Sequence, residues 1–133
     1  MKILLVEKGK NLISALLLVL TSIKNSEVKE IGLILNVDRI DNLYKELKKE
    51  KPDVLIINDG FVDQITRESA LILQELYPAM KVLILSIDPK VEKKYSEVGI
   101  DDFIIKGNSA EIFYNSMVSF LQKEQKRLQK TSI

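Results

Sequence analysis

The chain alternates short, wholly apolar runs with longer stretches in which apolar residues recur every three or four positions. The runs are Ile3-Leu4-Leu5-Val6, Ile31-Gly32-Leu33-Ile34-Leu35, Val54-Leu55-Ile56-Ile57, Val82-Leu83-Ile84-Leu85 and Phe103-Ile104-Ile105. Each is too short for a helix and lacks polar alternation, which predicts strands buried on both faces, as in a parallel sheet. The intervening segments predict helices. The first spans about Asn11 to Ile23, with Asn11 a plausible cap. The second, Asp38 to Glu50, places Ile40, Leu43 and Leu47 on one face and ends in Lys48-Lys49, where the helix dipole favours cations. The third, Gln64 to Leu76, buries Ala70, Leu73 and Leu76 or their neighbours and stops at Tyr77-Pro78. A short charged helix from Lys90 to Glu97 lies between Pro89 and Gly99. The last, from Asn108-Ser109 to about Leu128, puts Phe113, Met117, Phe120 and Leu121 on one face. Five strands alternating with five helices give an α/β fold: a five-stranded parallel sheet, doubly wound, with helices on both faces.

Length and composition narrow this further. A chain of 133 residues fits one domain with a real core. No linker or repeat interrupts the pattern. The composition shifts only from Gln122 onward, where Lys123, Lys126, Arg127 and Lys130 follow one another. Residues 1–122 are therefore expected to form the domain, and residues 123–133 an exposed helix end or tail. Twenty Lys+Arg against nineteen Asp+Glu leave a net charge of +1, without the basic excess of a dedicated nucleic-acid binder. The absence of Cys removes disulfides, thiolate catalysis and zinc-thiolate sites, and the absence of His removes the commonest general base. The apolar stretch from Leu12 to Ile23 is too short for a membrane span, which needs about 20 residues. Lys24-Asn25-Ser26-Glu27 after it offers no small-x-small cleavage site. A buried first helix and a cytoplasmic location are expected, with no membrane association.

In open parallel sheets ligands bind outside the carboxyl ends of the strands, near the point where strand order reverses. The residues to interrogate are thus Glu7-Lys8-Gly9, Asn36, Asn58-Asp59, Ser86 and Lys106-Gly107. Four landmarks fall there in order: Leu4-Leu5-Val6-Glu7, Pro52-Asp53-Val54-Leu55-Ile56-Ile57-Asn58, Val82-Leu83-Ile84-Leu85-Ser86 and Asp101-Asp102-Phe103-Ile104-Ile105-Lys106. Singly each is weak; together, from Lys2 to about Leu121, they resemble the receiver domain of response regulators, of the single-domain chemotaxis type. The resemblance implies the flavodoxin-like winding with strand order 2-1-3-4-5.

It also implies a mechanism. In such domains two acids after the first strand, with an aspartate at the end of the third, hold magnesium. That aspartate accepts a phosphoryl group whose charge the ion neutralises. A Ser/Thr after strand four and a Lys after strand five then bind the phosphoryl oxygens, and an aromatic on strand five swings inward. Carried over, Ser86 and Lys106 stand at the phosphoryl-contact positions and Phe103 at the switch-aromatic position, without the hydroxyl that favours an outward rotamer. The rest departs. The acidic pair is Glu7-Lys8, the phosphoacceptor position holds Asn58, and Gly107 replaces the usual proline. A cis bond before Gly107 would cost about 2.5–4 kcal/mol, so none is expected.

Magnesium requires hard oxygen ligands, usually including one or two carboxylates. With Lys8 and Lys106 near the site and only Glu7 and Asp59 anionic, magnesium binding is expected to be weak or absent. Lys8 then either pairs with Glu7, Asp59 or Asn58, or points to solvent. Asp59 is an alternative phosphoacceptor only if a bulge or turn after Ile57 redirects it, because strand side chains alternate faces; otherwise it is a turn residue beside Gly60.

The function expected from the resemblance is a non-enzymatic, phosphorylation-independent protein-interaction module. Its contact surface would be the face of helix four, strand five and helix five. Tyr114 and Val118 lie off the Phe113/Met117/Phe120 stripe, consistent with a partner or homodimer surface there. Two rivals have distinct signatures: a working receiver phosphorylated at Asp59 with magnesium, and a flavodoxin-like phosphate-binding protein. For the latter, Glu7-Lys8-Gly9-Lys10-Asn11 is a poor cradle. Too few residues follow the last strand for a helix-turn-helix, so direct DNA binding would need a longer regulator of which this is the receiver part.

Overall fold

A computed structural model describes residues 1–7, 10–26, 32, 34–37, 42–58, 67–97, 99–100, 102–107 and 109–131. The elements run β1 (Ile3–Val6), α1 (Lys10–Ser26), β2 (Ile34–Val37), α2 (Leu43–Glu50), β3 (Val54–Asn58), α3 (Arg67–Leu76), β4 (Lys81–Ser86), α4 (Lys90–Ser96), β5 (Asp102–Ile105) and α5 (Ala110–Thr131). All neighbouring strands pair in parallel, in the order β2-β1-β3-β4-β5. The expected winding is therefore present, with strand order reversing between β1 and β3.

Alternation along each strand divides the core into two layers. Leu4, Val6, Leu55, Ile57, Val82 and Ile84 project into one, which Leu43 and Leu47 of α2, Leu73 of α3 and Tyr95 of α4 close. Ile3, Leu5, Val54, Ile56, Leu83 and Leu85 project into the other, covered by α1 and by Met117, Phe120 and Leu121 of α5. Every residue of β1 and β3 is buried, which is why these runs carry no polar alternation. Each such Leu or Ile contributes roughly 1.5–3 kcal/mol relative to exposure. The lower end of the sheet is pinned by polar contacts. The Lys2 carbonyl accepts from the backbone N–H groups of Asp53 and Val54, and Asp53 Oδ2 accepts from Lys2 N–H at 2.8 Å.

Several boundaries differ from those the pattern predicts. β2 begins three residues and ends two residues later than the Ile31–Leu35 run, with Ile34 opposite Ile3 and Val37 opposite Val6. Asn36 is thus inside the strand, opposite Leu5, rather than just beyond it. The described part of α2 begins at Leu43; Ile40 is outside the described residues. In α3 Leu73 is buried as expected, but Leu76 is 60% exposed. Tyr114 and Val118 are half-buried against the α1/α5 layer, so the core stripe of α5 is wider than the sequence spacing indicates. α5 itself continues unbroken past Gln122 to Thr131, and Glu124 within that stretch is fully buried.

Lys51 ends α2 in the left-handed region, with φ 47°, its N–H donating to the Leu47 carbonyl at 2.9 Å. A Cβ disfavours that conformation and glycine does not. Lys51→Gly is expected to raise unfolding free energy by about 0.5–1 kcal/mol, read as a higher midpoint in urea with unchanged slope.

Candidate functional site

The register assembles the carboxyl ends of the central strands. Val6 lies opposite Ile57, so Glu7 and Asn58 emerge side by side at the next position. Asn58 lies opposite Leu85 and Ser86 opposite Ile105, which brings Ser86 and Lys106 to the same end. Among the described residues the buried polar side chains are Glu7, Asn58, Ser86 and Glu124, and three of these four gather here. Burying a polar group is unfavourable unless it is hydrogen-bonded, so such a cluster marks where the fold tolerates a cost for chemistry or recognition.

Its contacts are specific. The half-buried Lys106 donates from Nζ to Asn58 Oδ1, and its backbone N–H donates to the Ser86 carbonyl at 2.8 Å. Ser86 turns its hydroxyl into its own loop: Oγ accepts from Asp88 N–H at 3.0 Å and donates to the Asp88 carbonyl at 3.2 Å. Asp88 Oδ1 in turn accepts from Lys90 N–H at 2.9 Å, at the first turn of α4. This Ser86–Asp88–Lys90 relay ties the pocket to the start of α4. The sequence signal for it was Asp88-Pro89 directly before a helix, an ordinary N-terminal capping pattern that the strand-end argument passes over. Phe103 is half-buried and packs on Tyr95 of α4 with ring centroids 6.4 Å apart, tilted by 44°. Tyr95, 2% exposed, is the inner neighbour that the reading of α4 as a charged helix missed. Lys8 and Asp59 are outside the described residues.

A second feature lies at the outer edge of the sheet. A groove of about 510 Å³ runs between β5 and α5, lined by Phe103, Ile104, Ile112 and Phe120 with Ser116 and Ser119. At its lower end Asp102 is bracketed by Lys81 at 3.2 Å and Lys123 at 3.8 Å.

No family model matches the sequence, and no curated protein matches it. Solved structures do. The receiver domain of a DNA-binding response regulator from Colwellia psychrerythraea superposes with a TM-score of 0.71 at 13% identity, covering 92% of this chain and 98% of that one. An orphan response regulator of H. pylori gives 0.70 at 19% identity over 93% and 95%. A chemotaxis protein of Vibrio cholerae gives 0.65 at 14% over 92% and 96%. The fold is that of a receiver domain.

At these identities the likeness is one of fold, and the receiver site must be judged on this chain's own side chains. Of the described residues at the strand ends, Glu7 is the buried carboxylate. The side-chain oxygen of Asn58 belongs to a neutral carboxamide that already accepts from a lysine cation. No group of three or more Asp or Glu side chains stands close enough to hold a metal among the described residues. A divalent ion needs several hard, preferably anionic oxygens; the described residues of the strand ends bring one buried carboxylate, Glu7. Lys106 and Gly107 are joined by a trans peptide bond. No helix among the described residues is long and apolar enough to cross a membrane.

Proposed function

We propose that this chain is a pseudo-receiver: a protein-interaction module of signalling whose pocket does not accept a phosphoryl group. The observation that carries the reading is the Lys106–Asn58 contact. Aspartyl phosphorylation needs a carboxylate lone pair free to attack phosphorus, and a metal to offset charge on the oxygens in transfer. A carboxamide has no anionic oxygen, and its nitrogen lone pair is delocalised into the carbonyl. The lysine that would otherwise bind the phosphoryl product is here held by the acceptor residue itself. Magnesium binding is weak on the same grounds. The module works through the face of α4, β5 and α5, where the apolar groove lies and where the Ser86–Asp88–Lys90 relay and the Phe103–Tyr95 contact link the pocket to the surface.

The test is incubation of the full chain with phosphoramidate or acetyl phosphate and magnesium, followed by intact-mass measurement at neutral pH. An unchanged mass is expected. A stoichiometric, acid-labile phosphate on Asp59 or elsewhere in the pocket would show a working receiver and end this reading.

A further inference from the structure

Two surfaces of this chain are complementary to each other and cannot meet within one molecule. The first is on α3. Glu68, Leu71, Ile72, Glu75 and Leu76 are all exposed and recur at i, i+3, i+4, i+7 and i+8, which aligns them on one side of the helix. Leu71 and Ile72 are each 46% exposed and Leu76 is 60%, while Leu73 turns into the core. An outward stripe of three large aliphatic residues edged by two carboxylates is more apolar than a solvated helix face requires.

The second surface is on α5. The apolar groove beside β5 shares Ser119 and Lys123 with a concavity of about 590 Å³ further along the helix, lined by Gln122, Lys126, Arg127 and Lys130. Lys123, Lys126, Arg127 and Lys130 follow the same i, i+3, i+4, i+7 spacing, so the cations form one stripe continuous with the groove. Arg127 is engaged with Glu124 and the Ala79 carbonyl, and Lys123 with Asp102. Lys126 and Lys130 are exposed to solvent.

We infer that the α3 stripe of one copy docks on the β5/α5 groove of the next, a head-to-tail self-association. Three observations select a second copy over another partner. Each surface joins apolar side chains to a charged edge: the α3 edge is Glu68 and Glu75, and the α5 edge is net cationic, its Asp102 being paired by Lys81 and Lys123. α3 covers one face of the sheet and α5 the other, so the match is available only between molecules. A near-neutral chain does not oppose the approach of its own kind. Because the two patches differ, the interface is heterologous and propagates into a ring or an open chain rather than closing as a twofold dimer. The inference rests on the reading of β5 and α5 as the docking face, but its readout is independent of phosphorylation.

Sedimentation velocity over rising concentrations of the full chain tests it. The average mass is expected to climb beyond that of a dimer, and less steeply at high salt, where the charged rim is screened. An α3 variant, Leu71→Ser with Leu76→Glu, and an α5 variant, Lys126→Glu with Lys130→Glu, are each expected to self-associate about tenfold more weakly or worse. Both alter only exposed positions, and unchanged far-UV circular dichroism verifies their folding. Mixed together, the two variants retain one intact pair of surfaces and are expected to form a 1:1 complex that grows no further. A wild type that stays monomeric overturns the inference. So does either variant associating as the wild type does, or a mixture that remains monomeric.

Discussion

Replacing Arg127 with methionine is expected to destabilise the fold by about 3 kcal/mol, a large fraction of the stability of a single domain. Glu124 sits on the buried stripe of α5, one turn beyond Phe120 and Leu121, with no exposed surface. Its carboxylate accepts from Arg127 Nε, and Arg127 also donates from Nη1 to the Ala79 carbonyl at 3.1 Å, fastening the end of α5 to the turn before β4. Removing the guanidinium leaves an uncompensated buried charge, the costly way to break such a pair. The estimate falls at the low end for buried pairs because the Arg127 side chain is 32% exposed and partly screened. Glu124→Gln, which removes the charge but keeps the shape, is expected to cost less than Arg127→Met. The double change to methionine at both positions is expected to recover most of the loss, since apolar packing can replace a buried pair at little cost. Urea unfolding of these variants checks this, and Glu124→Met alone completes the double-mutant cycle. A single Arg127→Met variant as stable as the wild type would mean that the pair holds nothing.

That pair also marks where the sequence stops being legible. Lys123-Glu124-Gln125-Lys126-Arg127 reads as a solvated helix end because four of its five residues are charged and none is apolar. Only the Phe120/Leu121 spacing extended by one turn puts Glu124 inward, and periodicity computed on apolar residues cannot register a buried carboxylate. The strands were the most legible part, because β1 and β3 are buried on both faces and therefore have no polar positions to confuse them. β2 was misplaced for a definite reason. The segment from Ile31 to Val37, apolar but for Asn36, is longer than β1, so the frame is set by pairing with Ile3–Val6, which a single-segment pattern does not contain. In α3, apolar residues at 70, 71, 72, 73 and 76 surround most of the helix, and spacing alone could not tell that Leu73 is inside and Leu76 outside.

The polar end of the sheet was legible at a coarser grain. The rule that sites form at the carboxyl ends of parallel strands picked out Glu7, Asn58, Ser86 and Lys106, and three of these are buried with the fourth bonded to Asn58. What the rule could not give was the direction in which each side chain turns. Ser86, at the phosphoryl-contact position that the resemblance implies, uses its hydroxyl to close the turn to Asp88. Local side-chain-to-backbone bonds of this kind compete with any longer-range role, and nothing in the strand pattern reports them.

The largest functional change is expected at position 58. Asn58→Asp places an anionic oxygen where Lys106 already points, so a hydrogen bond that is charge-assisted from the donor side alone becomes an ion pair. That alone does not supply a metal site, because Glu7 is the remaining buried carboxylate at the strand ends and Lys8 places a cation next to it in the chain. Asn58→Asp is therefore expected to accept phosphate from phosphoramidate only slowly. The pair Asn58→Asp with Lys8→Asp, which provides three acids and removes the repulsion, is expected to react at least about 10²-fold faster and only with magnesium, the scale on which metal and charge terms act in phosphoryl transfer. A third variant separates pocket geometry from pocket charge. On the proposed reading, Lys106→Met in the doubly substituted chain removes both the group that would hold the transferred oxygens and a cation beside the metal, and is expected to keep or raise magnesium affinity while shortening the lifetime of any phosphate signal. Initial rates by phosphate-affinity gel electrophoresis, with magnesium affinity by titration calorimetry, distinguish these steps. If Asn58→Asp alone reacts as fast as the double variant, Lys8 does not guard the pocket and the carboxamide by itself explains the loss. If neither reacts, the strand-end geometry has drifted beyond what restoring carboxylates can recover, and Ser86, already committed to the turn into α4, is the next residue to free.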